Sequence, residues 1–210
     1  MMTPPVQQPV ASRNGTPVRD IAHSPIRCLV VDDHPAILAG LRGLLSSEPD
    51  LEVVDAVDSA EAALDVAEET ALDVAIVDYQ LPGRSGLWLS RKLKRMPEPP
   101  AVLIYSAFSD YMLAAACVVA EADGLVSKSA LGTDLYEAIR RAANGISRLP
   151  PVPPTLADGL RRRFDSFEQA IFGLLLAGIP RAEIGRTLHV DEGELEARQW
   201  AMLRKLERVG

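Results

Sequence analysis

Apolar residues along this chain fall into two kinds of run. Short, mainly apolar runs are RCLVV (27–31), LEVVDAV (51–57), VAIV (74–77), AVLIY (101–105) and a brief one centred on Leu125 and Val126. Between them lie stretches in which apolar positions recur every three to four residues. The first carries Ile37, Leu38, Leu41, Leu44 and Leu45 on one stripe, and an alanine-rich one reaches about Thr70. Others run from Leu87 to Met96, closed by Pro97, Pro99 and Pro100, and from Met112 to Glu121, where nearly every position is apolar. The last in this region holds Leu135, Ala138, Ile139 and Ala142 and stops at Gly145. Unbroken runs predict strands buried on both faces, and the 3.6-residue stripes predict helices packed on one side.

Alternation of such strands and helices specifies a parallel sheet covered on both faces, joined by right-handed crossovers. For five units the doubly wound, flavodoxin-like order 2-1-3-4-5 is the natural arrangement. LPPVPPT (149–155) reads as a stiff linker, and residues 156–210 are helical in pattern and too few for another sheet. The expected organisation is a disordered leader at 1–25, an α/β domain at 26–146, a Pro-rich linker at 147–160 and a small all-α unit at 161–210.

Composition narrows the function classes. The chain has 210 residues, 48% of them apolar, and a formal net charge of −7. That apolar share supports a packed core, and the acidic balance argues against wholesale coating of nucleic acid. No apolar run approaches the ~20 residues of a membrane helix, and no signal-peptide block opens the chain, so a cytoplasmic protein with no membrane partner is expected. Cys28 and Cys117 both lie in apolar runs, which suits buried free thiols in a reducing compartment.

Candidate chemistry stands where the strands end. Asp32 and Asp33 follow the first, Asp78 the third, Ser106 the fourth and Lys128 the fifth. Open α/β sheets bind ligands outside the carboxyl ends of their strands, so all five residues reach one edge. Clustered carboxylates must hold a cation or take up protons, and oxygen-only ligands point to Mg²⁺. A lysine and a hydroxyl beside them complete a site for a transferred phosphoryl group with a carboxylate as nucleophile.

The segments LVVDDHP (29–35), IVDYQLPGRSG (76–86), LIYSA (103–107) and GLVSKSA (124–130) resemble those of two-component response regulators. The resemblance implies that Asp78 is the phospho-acceptor, supplied by a sensor histidine kinase. It implies Mg²⁺ held by Asp33, Asp78 and the backbone carbonyl of Gln80, with Asp32 acting through a coordinated water. Lys128 is then the partner of the acceptor and of its phosphoryl group, and Ser106 the switch hydroxyl. Pro82, Gly83 and Gly86 match the turn after the acceptor. One position departs: where the family carries Tyr or Phe as an aromatic relay, three residues before the lysine, this chain has Leu125. Related phosphatases of the haloacid dehalogenase type need a DxD arrangement, which Asp78-Tyr79-Gln80 lacks. The resemblance therefore implies phosphotransfer to the protein itself and not turnover of a substrate.

In the C-terminal unit, DSFE (165–168) reads as a capping box before IFGLLLAG, with Gly178 as helix stop. RAEIGRTL (181–188) is a short helix, His189-Val190 a tight turn, and Asp191 caps a longer helix reaching about Glu207. Two helices so joined fit a helix-turn-helix, with a plain helical bundle as the alternative. Residues 168–206 are similar to the NarL/LuxR-type output domain, which implies a DNA-binding transcriptional regulator. The recognition helix is then 192–206, with Glu194, Glu196, Ala197, Arg198, Trp200, Ala201 and Arg204 towards DNA, the first, second, third, fifth and sixth of these facing solvent.

Several features pull the other way. Residues 151–210 carry 9 basic and 9 acidic side chains, so the unit is formally neutral. Glu192, Glu194 and Glu196 occupy the turns that meet phosphate, where a carboxylate adds repulsion. Gln199 falls on the apolar stripe of Leu195, Met202 and Leu206. Trp200 is a large aromatic where a polar contact is usual, which suits a protein-contact anchor. The chain ends before the family's fourth helix, which puts cooperative binding to a two-fold operator in question. The alternative is thus a response regulator whose helical unit binds a protein partner or another copy of itself. A homodimer could form through the fourth helix of the α/β domain or through Trp200.

Overall fold

The computed structural model describes residues 24–108 and 110–207, so the leader lies outside it up to residue 23. Five parallel strands, β1 (Ile26–Val31), β2 (Leu51–Val57), β3 (Val74–Asp78), β4 (Ala101–Ser106) and β5 (Gly124–Ser127), pair in the order β2-β1-β3-β4-β5. The helices between them are α1 (Pro35–Leu45), α2 (Ala60–Glu69), α3 (Gly86–Leu93) and α4 (Tyr111–Val119), with α5 (Gly132–Ala143) last. β3 is buried at every position, as the unbroken apolar run requires.

One face of the sheet packs Cys28, Val30, Ile76 and Leu103 against Leu41 and Leu45 of α1 and Leu135 and Ile139 of α5. The opposite face packs Leu29, Val31, Ala75, Val77, Val102 and Ile104 against α2, α3 and α4. Leu113 to Cys117 of α4 and Val119 are all buried. A helix apolar all round cannot sit on a surface. Its second face is covered by the C-terminal unit, whose Phe164, Ile171, Phe172, Ile184, Leu195, Met202, Leu203 and Leu206 belong to the same continuous core.

That unit consists of α6 (Pro154–Arg161), α7 (Ser166–Leu176), α8 (Arg181–Leu188) and α9 (Glu192–Glu207). α6 occupies part of the segment read as linker. Pro154 stands at its first turn, where a missing N–H is harmless, and Ala157 and Leu160 are buried. The capping box of α7 is formed: Asp165 Oδ1 accepts the Glu168 N–H at 2.8 Å, and Glu168 Oε2 accepts the Asp165 N–H at 2.9 Å. Gly178, at φ 69°, follows that helix in the left-handed region that glycine tolerates best. His189 takes up the same region (φ 56°) to turn the chain from α8 into α9. Among the described residues no helix is long and apolar enough to cross a membrane.

Candidate functional site

Parallel strands end at one edge, and the residues at their ends meet there. Asp32 directly follows β1, Asp78 closes β3, Ser106 closes β4 and Lys128 directly follows β5. Ligand atoms of Asp32, Asp33, His34 and Asp78 all lie within 4.8 Å of one another. Lys128 Nζ donates to Asp32 Oδ2 at 2.6 Å and lies 2.9 Å from Asp78 Oδ2, so one ammonium bridges two buried carboxylates. His34 Nδ1 lies 2.7 Å from Asp33 Oδ1 and 3.2 Å from Asp32 Oδ1. The His34 N–H also donates to Asp32 Oδ1 at 2.9 Å, which fixes that carboxylate from below.

Asp78 is anchored by the Gln80 N–H, which donates to its Oδ1 at 3.3 Å. The turn after β3 closes when the Gly86 N–H donates to the Tyr79 carbonyl at 2.9 Å. A Cβ at residue 86 would stand 2.1 Å from the Asp78 carbonyl oxygen, so only glycine permits this close approach. Ser106 is buried, and its Oγ accepts the Phe108 N–H at 3.1 Å, while its carbonyl accepts the Lys128 N–H at 2.7 Å. Burial pushes the Asp78 carboxyl up, a shift that Lys128 only partly offsets and the Asp32 charge augments. Burial works against the Lys128 ammonium too, yet its bonds to Asp32 and Asp78 hold its pKa above the ordinary value. The edge thus carries more negative charge than one lysine balances, which is the condition for drawing in a cation.

A second polar cluster lies where α9 meets the α/β domain. Arg91 of α3 is fully buried and donates through Nη1 to Glu121 Oε1 at 2.6 Å and through Nη2 to Glu196 of α9. Arg95 reaches the same two carboxylates, at 2.5 Å to Glu121 Oε1 and 2.8 Å to Glu196 Oε2. Arg181 of α8 lies 3.0 Å from Glu196 Oε2 and donates to Gln199 Oε1. Gln199, also fully buried, donates through Nε2 to Glu121 Oε1 at 2.8 Å and to the Val119 carbonyl at 3.3 Å. Burial opposes the Glu121 charge, but Arg91 and Arg95 overcome it and hold this carboxyl at about 2. Burial lowers Arg91 to about 10 despite the same pairing. The Arg91 guanidinium also lies 5.7 Å from the Trp200 ring.

The whole-chain comparisons agree with this geometry. Residues 28–140 match the family model described as the response regulator receiver domain. The chain is a response regulator. It is 27% identical over 194 residues to the nitrate/nitrite response regulator protein NarL of Escherichia coli K12, covering 87% of this chain and 90% of that protein. The signal receiver domain of NarL from Mycobacterium tuberculosis superposes with a TM-score of 0.56 at 29% identity, covering 58% of this chain and 98% of that one. RcsB from Salmonella enterica serovar Typhimurium, solved bound to promoter rprA with a phosphomimetic, gives 0.56 at 21% identity, covering 88% and 93%. That last likeness is one of fold.

Within this response regulator the strand-end residues gather as their order along the chain implies, and His34 joins them. The DDHP segment contains that histidine, but only the turn after β1 brings its ring to the carboxylates. Leu125 lies half-buried in β5 beside Ile104, against the α2–α4 core. The nearby ring is Tyr105 instead, 5.8 Å from Lys128 Nζ.

Expectations for α9 need correction. Glu194 and Ala197 are exposed, as is Arg204, but Glu196, Trp200 and Ala201 are only half exposed. Glu196 and Trp200 are turned onto the receiver because Arg91 and Arg95 wait there beside the apolar back of α4. Arg198 pairs with Asp165 at 2.9 Å and lies 5.2 Å from the Phe167 ring. Gln199 does fall on the buried stripe, satisfied by receiver groups that the helix pattern alone could not supply. The C-terminal unit covers most of α4, while Tyr111 at its start stays exposed and Trp200 is partly exposed.

Proposed function

We propose that this response regulator takes a phosphoryl group on Asp78 from a sensor histidine kinase and uses it to control transcription at DNA. The carrying observation is the Lys128 ammonium bridging Asp32 and Asp78 within the acidic cluster. A carboxylate oxygen of Asp78 attacks phosphorus, the phosphorus–nitrogen bond of the kinase phosphohistidine breaks, and the imidazole leaves with a proton. Lys128 then balances the phosphoryl charge, and the Ser106 hydroxyl, giving up Phe108, donates to a phosphoryl oxygen. The donor set suits Mg²⁺: Asp33, Asp78 and the Gln80 carbonyl would hold it, with Asp32 through a water. The ion would neutralise charge on the phosphoryl oxygens. This is phosphotransfer to the protein itself, in a cytoplasmic regulator.

The DNA reading is supported by the α8–turn–α9 arrangement and by the likeness to the DNA-binding transcriptional activator EvgA of Escherichia coli K12, 24% identical over 188 residues and covering 87% of this chain and 92% of that protein. In the docked arrangement the Glu196 and Trp200 face of α9 is turned onto the receiver, so DNA contact by these two requires α9 to leave it, whereas Glu194, Ala197 and Arg204 are already exposed. A homodimer on a two-fold site belongs to the same reading. One observation favours a protein partner instead: Glu196 is committed to the receiver's Arg91 and Arg95, and Gln199 to Glu121, the Val119 carbonyl and Arg181 of α8, so neither is spare for phosphate or base edges. Quantitative DNA binding across salt concentrations, with and without beryllofluoride on the receiver, separates the two. A steep negative salt slope that appears with beryllofluoride supports transcriptional control. Absence of binding at low salt in both states favours the protein partner.

A further inference from the structure

A cleft of about 620 Å³ opens between the turn after β3 and α9. Its receiver wall includes Tyr79, Arg84 and Trp88, and its α9 wall is Trp200, Leu203 and Arg204. Asp32, Asp33, Asp78 and Lys128 do not line it, but Gln80 does, so the cleft adjoins the phosphoryl site without containing its carboxylates or its lysine. The volume falls within the ~300–1,000 Å³ of small-molecule pockets.

The chemistry of the walls is selective. In a chain of net charge −7, no Asp or Glu lines this cleft, while two arginines do. Three other cations of α8 and α9 are taken: Arg181 by Glu196, Arg198 by Asp165 and Lys205 by Glu168. Among the described side chains, which do not include that of Glu207, no carboxylate pairs with Arg84 or Arg204. The Arg84 guanidinium lies over the Trp88 ring at 5.0 Å, and Lys92 Nζ lies 5.5 Å from the same ring. Aromatic faces backed by guanidinium charge suit a planar aromatic ring bearing a carboxylate.

We propose that this cleft binds an aromatic carboxylate, with the ring against the indole surfaces and the carboxylate held by Arg84 and Arg204. One wall belongs to the receiver and the other to α9, so such a ligand binds the docked arrangement alone. By linkage it stabilises that arrangement and opposes release of α9. This goes beyond phosphotransfer, since the cleft needs no phosphoryl group.

Both tryptophans of the chain line the cleft, which makes intrinsic fluorescence a local reporter. The full chain is titrated with biphenyl-4-carboxylate and, separately, with the neutral biphenyl-4-methanol, with calorimetry as a second readout. The expected result is a saturable signal for the carboxylate, with affinity at least about tenfold above the alcohol, as charge-assisted bonds require. The Arg84→Gln/Arg204→Gln double variant removes that advantage. Should it fold poorly, discrimination between the two probes by the wild type carries the test alone. Absence of saturation, or equal affinity for both probes, overturns the proposal. Asp78→Asn must bind the carboxylate as the wild type does, so failure of the phosphotransfer reading and failure of this one stay distinguishable.

Discussion

The two polar clusters of this response regulator are opposites in charge balance. At the strand ends, several carboxylates share one lysine, and burial raises the Asp78 carboxyl. At the junction of α3, α4, α8 and α9, three guanidiniums share Glu121 and Glu196, and both carboxyls are held below their ordinary values against the effect of burial. The first cluster is left short of cations, so it can accept one together with a phosphoryl group. The second has one guanidinium more than these two carboxylates balance, and Arg91 Nε and Arg181 Nε are buried without a hydrogen-bond partner among the described residues, yet its ion pairs span the receiver and the helical unit and hold them together. An excess of carboxylates draws in a cation, and an excess of guanidiniums pins the acidic side chains of α9.

The largest expected effect is at the acceptor. Asp78→Asn removes the nucleophile and should reduce Mg²⁺-dependent labelling by a small phosphodonor to background, with the circular dichroism spectrum unchanged. Equal labelling of variant and wild type would break the assignment outright.

Glu121→Gln tests the other cluster. It leaves Arg91 and Arg95 with half their counter-charge in a buried setting, a change worth about 3 kcal/mol. Urea melts should show that loss, and proteolysis at 149–153 should accelerate as α6–α9 loosen. Unchanged melts and unchanged cleavage would mean that the seam contributes little.

Acid separates the clusters by sign. The Glu121 carboxyl sits at about 2 in the fold against an ordinary 4.5. Its stabilisation is present above the ordinary value and is lost as pH falls towards the folded one, about 3 kcal/mol in all. Asp78 is shifted upwards, so the folded state binds its proton more readily than the unfolded state, and acid relieves that edge. Lowering the pH should therefore free the helical unit before the receiver unfolds, a sequence that linker proteolysis and sheet-sensitive circular dichroism can resolve. Glu121→Gln should flatten the first transition and leave the second.

Lys128→Met should cost less, about 2 kcal/mol, because the Asp32–Asp78 pair can answer by taking up a proton or a divalent ion. Added Mg²⁺ should restore much of the melting temperature, whereas it should do nothing for Glu121→Gln. The smallest effect is expected for Arg198→Ala. Its pair with Asp165 is exposed at the surface, and the loss should stay within about 0.5–1 kcal/mol in the same melts.

Much of the receiver was legible from apolar patterning, since a strand buried on both faces writes itself as an unbroken run. The residue after each run then identified the site, because parallel strands must end together. α4 carried a further signal: a helix with no polar face demands a cover on both sides. That signal says only that a cover exists. It does not say that α9 supplies it, and the solvent-facing assignment of Glu196 and Trp200 failed there. α6 was obscured by its prolines, which start a helix as readily as they stiffen a linker.

By itself, then, the sequence determined the sheet order, the strand-end carboxylates and Lys128, and the α8–turn–α9 helices, because each follows from local periodicity and chain direction. Only the tertiary structure decided that Arg91, Arg95 and Glu121 meet Arg181, Glu196 and Gln199. Partners up to about a hundred residues apart in the chain leave no periodic trace. Three acidic residues in a recognition helix read as an anomaly until the arginines opposite one of them are in place.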